Sequence, residues 1–126
     1  TFSFVDISAS GTPVALGDDA GATFPIGFTF SFYGTDYTMA DVSSNGYITF
    51  GTDATDFSND CPLVEGGTTP PISIFAYWDD LDPGDDGALA YYETFGACPV
   101  GTATGCTIVQ WEEFDNFPGD GTPGGT

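Results

Sequence analysis

The sequence contains no lysine, no arginine and no histidine. Against that stand 19 Asp and Glu residues, so the formal net charge is −19 and no side-chain salt bridge can form within the chain. Every carboxylate must be satisfied by water, backbone N–H groups, hydroxyls, amides or a cation from outside. Such a surface repels nucleic acids and anionic lipid, whose binding rests on Lys and Arg meeting phosphate. The same absence removes the imidazole base, the Schiff-base lysine and the cationic clamp of phosphoryl transfer. A glycosidase-type carboxylate pair such as Glu93 with Glu112 is the remaining catalytic option, and solvated surface acids are the plainer reading, so the chain is expected not to be an enzyme.

Long apolar runs are missing too, and none approaches the roughly 20 residues of a membrane span. The start at Thr1 shows neither a signal peptide nor an initiator Met, as expected of a processed or excised piece of a longer protein. Cysteine is scarce and odd in number: Cys61, Cys98 and Cys106. In "CPVGTATGC" the last two bracket a Pro/Gly/Thr loop, which reads as a hairpin tied at its base by a disulfide. Zinc ligation is the rival, with Cys61 the only further soft ligand. A disulfide places the chain in an oxidising, extracytoplasmic setting.

Aromatic residues, by contrast, are plentiful: 12 Phe, 6 Tyr and 2 Trp in a chain of 126 residues, enough to bury a core despite the charge. In "TFPIGFTFSFYG" residues Phe24, Ile26, Phe28, Phe30 and Phe32 fall on every second position, the period of a strand with one apolar face. "DVSSNGYITFG" places Asn45-Gly46 between two β-prone runs and predicts a type I′ hairpin joining strands near 38–44 and 46–51. Further strands are expected near 2–8, 72–78, 88–95 and 106–112. No stretch has helical period with caps. The expected fold is therefore all-β: an antiparallel, jelly-roll-like β-sandwich with long loops and little or no helix. It forms one domain over residues 1–117, followed by a Gly/Pro-rich loop or linker at 118–126. The irregular link after Gly51 is expected to be pinned by Cys61 or Asp60.

The succession "FPIGFTFSFYGTDYT", "VSSNGYITFG", "ISIFAYWDDLDP", "GALAYYETFG" and "TIVQWEEF" resembles a β-rich module of secreted and surface-anchored bacterial proteins. It is also similar to the extracellular nidogen-type domain. The resemblance implies a non-catalytic extracellular module of adhesins, matrix proteins or secreted enzymes, with no particular ligand. In such modules the strand matching "TIVQWEEF" is followed by another, so the resemblance also implies an open edge near Thr107–Glu112. A strand from another copy, from a neighbouring domain or from a continuation of the chain would complete it.

Within "WDDLDPGDDG", Asp79, Asp80, Asp82, Asp85 and Asp86 crowd one turn shaped by Pro83, Gly84 and Gly87. Hard cations such as Ca²⁺ take six to eight oxygens, which Asp/Gly loops deliver, and a divalent ion relieves the repulsion among unpaired carboxylates. "LGDDAG", with Asp18 and Asp19, is a second candidate. A solvated turn is the plainer reading of both, since Asp and Gly are turn formers in their own right. Together these features predict a structural or adhesive extracellular module stabilised by calcium, a subunit or repeat of a bacterial surface protein or filament. Its expected partners are further copies or neighbouring domains, with glycans as a further class. The alternative is a carbohydrate-binding accessory domain of a secreted hydrolase, marked by exposed aromatics beside carboxylates. Trp78 and Trp111 are expected in the core or on a sheet face rather than on such a platform.

Overall fold

The computed structural model describes residues 3–51, 54–58, 71–84 and 87–117. Asp60, Cys61, Asp85, Asp86 and the 118–126 segment lie outside the described residues. Nine strands follow in chain order: β1 (Thr12–Val14), β2 (Gly21–Phe32), β3 (Thr35–Ser43), β4 (Tyr47–Thr49), β5 (Ser73–Phe75), β6 (Leu81–Asp82), β7 (Leu89–Phe95), β8 (Cys106–Glu112) and β9 (Asp115–Asn116). There is no helix among the described residues. The strands form three antiparallel sheets, ordered β1-β7-β8, β2-β3-β4-β5 and β6-β9.

The two larger sheets face each other across the main core, which is the expected sandwich. Phe24 and Ile26 of β2, Ala40 and Val42 of β3, and Phe50 meet Ala90 of β7, with Tyr92, Val109 and Trp111 packed against them. Phe24 lies against Tyr92 with ring centroids 5.2 Å apart. On the far side of the four-stranded sheet, Phe75 stacks on Trp78 beside Tyr47. A smaller cluster of Leu81, Ala88 and Phe114 carries the two-stranded sheet and joins the main core through Leu16 and Trp111.

The apolar alternation of β2 is interrupted. Pro25 pairs with Met39 but Phe30 with Tyr37, so extra residues bulge out between them. Gly27 sits in that bulge at φ 87°, where a Cβ would come within 2.6 Å of the Thr94 methyl. The Ile26 carbonyl accepts hydrogen bonds from the hydroxyls of Thr94 (2.9 Å) and Thr107 (2.5 Å), tying the bulge to β7 and β8. Phe24 and Ile26 are buried before the bulge, whereas Phe28 is 37% exposed within it.

Two local expectations are corrected. Residues 3–8 form no strand: the Ile7 carbonyl accepts from Ser10 and Gly11, closing a turn, and the Ile7 N–H donates to the Gln110 side chain instead of a ladder. The strand in this region is β1, four residues further on. The β3–β4 hairpin forms as expected, but Val42 opposes Ile48, which leaves a longer turn than the two residues of type I′. Only Gly46 has positive φ there (75°); Asn45 does not. Gly46 is also obligatory for space, because a Cβ would fall 1.9 Å from the Tyr77 carbonyl oxygen.

β7 and β8 pair from Leu89–Glu112 to Phe95–Cys106. A disulfide joins Cys98 to Cys106 as the spacing predicted, with Cα atoms 5.5 Å apart; it ties the base of the 99–105 loop, which is the tip of the β7–β8 hairpin.

Candidate metal centre

Two loops converge on the hairpin turn at residues 44–46. The β1–β2 turn is held there by paired backbone and side-chain bonds: Ser44 N–H donates to the Ala20 carbonyl (2.8 Å), and Ala20 N–H donates to Ser44 Oγ (3.1 Å). This presents Asp18 and Asp19, the latter at φ 48°, a conformation that Asp tolerates better than most residues. The loop after β5 is pinned at Asp80, whose carbonyl accepts from the Phe117 N–H (2.8 Å).

Between the two lies Asn45, fully buried. Its Nδ2 donates to Asp19 Oδ1 (3.0 Å), and its Oδ1 accepts from the Leu81 N–H (2.8 Å). One amide thus fixes the β1–β2 turn relative to the acidic loop. In consequence Asp18, Asp19 and Asp80 each offer a carboxylate oxygen, and those oxygens all lie within 4.8 Å of one another. Two oxygens bound to one Ca²⁺ at about 2.4 Å can be at most about 5 Å apart, so the trio fits a single ion. The donors are all hard oxygens, with no Cys or His among them, which suits calcium rather than zinc.

The electrostatics follow from this crowding. Burial pushes the Asp80 carboxyl above the usual carboxylate range, and the charges of Asp19, Asp18, Asp79 and Asp82 push it further. Burial likewise raises Asp18, with Asp19 and Asp82 adding to it against a backbone hydrogen bond from Asp19. A like charge disfavours ionisation unless a cation compensates.

The two acidic runs therefore meet in one place. Asp79 accepts from the Asp80 N–H (3.0 Å) and Asp82 accepts from the Gly84 N–H (2.8 Å), so each has one oxygen engaged in shaping its own loop. Asp82 lies on β6 opposite Asp115 of β9. Asp85 and Asp86 lie outside the described residues. Asn45 was legible only as a turn former, and no sequence pattern marks its bonds to partners 26 and 36 residues away.

Glu93 and Glu112 share the outer face of the three-stranded sheet, but Glu93 opposes Ile108, four residues along β8 from Glu112. At the rise of a strand their backbones are about 13 Å apart. Glu93 accepts a hydrogen bond from Ser10 (2.5 Å). Trp78 and Trp111 are both half-buried against the sheets, and the Trp111 indole N–H donates to the Ser43 carbonyl (2.7 Å).

No curated protein and no solved structure matches this chain. A family model described as NIDO related matches residues 1–120, in keeping with the nidogen-type resemblance of the strand motifs, and the chain belongs to that family.

Proposed function

We propose that this chain is a non-catalytic structural or adhesive module of a bacterial surface protein or filament, stabilised by calcium at Asp18, Asp19 and Asp80. Membership of the NIDO-related family and the Cys98–Cys106 disulfide point to an extracellular protein. No helix among the described residues is long and apolar enough to cross a membrane. The observation that carries the calcium reading is the convergence of three carboxylates from two loops on one point. No cationic side chain exists anywhere in the chain to neutralise them. Asp79 and Asp82 border the same centre, and Asp85 and Asp86 follow in the same acidic run.

As a module, the domain joins its neighbours by strand addition along β8, from another copy or an adjoining domain. β8 pairs with β7 on one side, and no strand pairs with its other side among the described residues.

Thermal melting tests the calcium reading. At one hundred times its dissociation constant, calcium bound only to the native state adds about 2.7 kcal/mol. For a domain of this size that is a rise of roughly 10 °C in Tm. EDTA reverses it, and Asp80→Asn abolishes the response while the chain stays folded. An equal midpoint in EDTA and in calcium at matched ionic strength refutes calcium stabilisation.

A further inference from the structure

The two facing sheets are unequal. Four strands, β2-β3-β4-β5, lie opposite three, β1-β7-β8, and among the described residues β8 is the edge of the smaller sheet. β7 covers Phe24 through Tyr92, and β8 reaches β3 through the Trp111 bond to Ser43. The apolar face of the larger sheet runs on past them. Ile48 of β4 opposes Ile74 of β5 there, and Ile74 is 39% exposed. Between this floor and the β8 edge lies a cavity of about 390 Å³, lined by Phe28, Phe30, Ile48, Ile74, Thr107 and Val109 among others. An edge strand carries unpaired backbone donors and acceptors, and here they stand beside an apolar trench. An extended segment satisfies both at once, pairing its backbone with β8 and sending alternate side chains inward.

The opposite face of that segment is specified by charge. Along β8, Val109 and Trp111 turn into the core, so Ile108, Gln110 and Glu112 turn outward. Gln110 Nε2 donates to Asp6 Oδ1 (3.1 Å) on this outer face. Hydrogen bonds from Ser8 and Gln110 hold the Asp6 carboxyl below its ordinary range. Glu112 thus sets negative charge on the outer face of β8, with Asp6 held against Gln110 on the same face, and no basic residue anywhere in the chain offsets them. A cross-strand neighbour of opposite charge is favoured, and one of like charge is disfavoured.

We infer that the groove along β8 receives an extended segment from a different polypeptide, with aliphatic residues at alternate positions facing Ile48 and Ile74 and Lys or Arg at the intervening positions facing Glu112 and Asp6. Residues 1–126 hold no basic residue, so these residues of a second copy do not carry that pattern. The inference rests on the strand-addition reading above and narrows its partner to a basic one.

Synthetic peptides test it against the intact chain. Three nine-residue peptides are compared: Val alternating with Lys, Val alternating with Glu, and the Val/Lys composition in blocks without alternation. Binding is read by fluorescence anisotropy, and its location by hydrogen exchange of the β8 amides. The expected result is that the alternating Val/Lys peptide binds at least tenfold tighter than either other peptide and slows exchange along Thr107–Glu112. Ile74→Asp, at an already exposed position, weakens that binding at least tenfold, and Phe28→Ser does the same should Ile74→Asp unfold the chain. Equal binding of the Lys and Glu alternating peptides, both protecting β8, overturns the basic partner and leaves strand addition standing. Equal binding of the block peptide, or no protection of β8 by any peptide, overturns both. Self-association of the chain alone with protection of β8 makes a second copy the occupant and overturns the inference.

Discussion

Asn45 sends the two ends of its side chain to different loops, and both ends are made in a fully buried position. Substitution by alanine leaves the Leu81 N–H without its acceptor, at a cost of about 1–3 kcal/mol. It also frees Asp19 from Asp80, so the loss of stability should come with a smaller calcium-induced rise in Tm. Asn45→Asp separates the two effects. An aspartate keeps the acceptor for Leu81 but loses the donor to Asp19 and adds a fourth carboxylate to the cluster. Its expected behaviour is lower stability than the parent in EDTA and a larger rise on adding calcium, both read from urea or thermal unfolding. A calcium response unchanged in both variants would detach Asn45 from the metal centre.

At the scale of the elements, the β7–β8 hairpin was the most legible part of the fold. Its strands, expected at 88–95 and 106–112, form at Leu89–Phe95 and Cys106–Glu112, because alternating side chains and the tied loop are local signals. β6 and β9 are two residues each and pair across more than thirty residues, so nothing local announces them. β1 is a three-residue edge strand containing a proline and has no alternation to read. The expected strand at 2–8 failed because Asp6 and Ser8 offer the backbone a side-chain alternative: the Ser8 N–H donates to Asp6 Oδ1 (2.9 Å) and the chain turns. The acidic centre was half legible. Both runs of aspartate stood out in the sequence, but their meeting depends on a buried asparagine bonded to both loops, a tertiary fact. For the hairpin itself, chain-entropy reasoning assigns its short disulfide loop about 2.5 kcal/mol of stabilisation. Replacing Cys98 and Cys106 together by serine should lower urea stability by about that amount, with hydrogen exchange rising first at the β7–β8 tip. Two free thiols at these positions on non-reducing alkylation would remove the tie and the main chemical argument for an oxidising compartment.

Across the whole molecule, 19 acidic groups face no fixed positive charge, so the response to protons is set by which carboxyls the fold holds more or less tightly than the unfolded chain does. Asp18 and Asp80 have raised values in the folded state. An acid that binds its proton more tightly when folded opposes folding while ionised, so its cost is fully present above the folded value. That cost is relieved as pH falls through the folded value toward the ordinary one near 4. Asp6 works in the other direction, since its lowered value contributes stability that is lost only as pH falls below the ordinary range. With divalent ions removed, Tm should therefore rise as pH is lowered through the raised values of Asp18 and Asp80 toward the ordinary one near 4, and turn downward only in more acid solution, as Asp6 takes up its proton. Saturating calcium reverses the first part of that curve. Bound metal compensates the carboxylates at Asp18, Asp19 and Asp80, so protons arriving there compete with the ion, and Tm should stay level or fall over the same interval. Paired melting series in EDTA and in calcium, at one ionic strength, give the two slopes. Parallel slopes of the same sign would show that protons and calcium do not share a site, and would separate the acidic cluster from any stabilising effect of the metal.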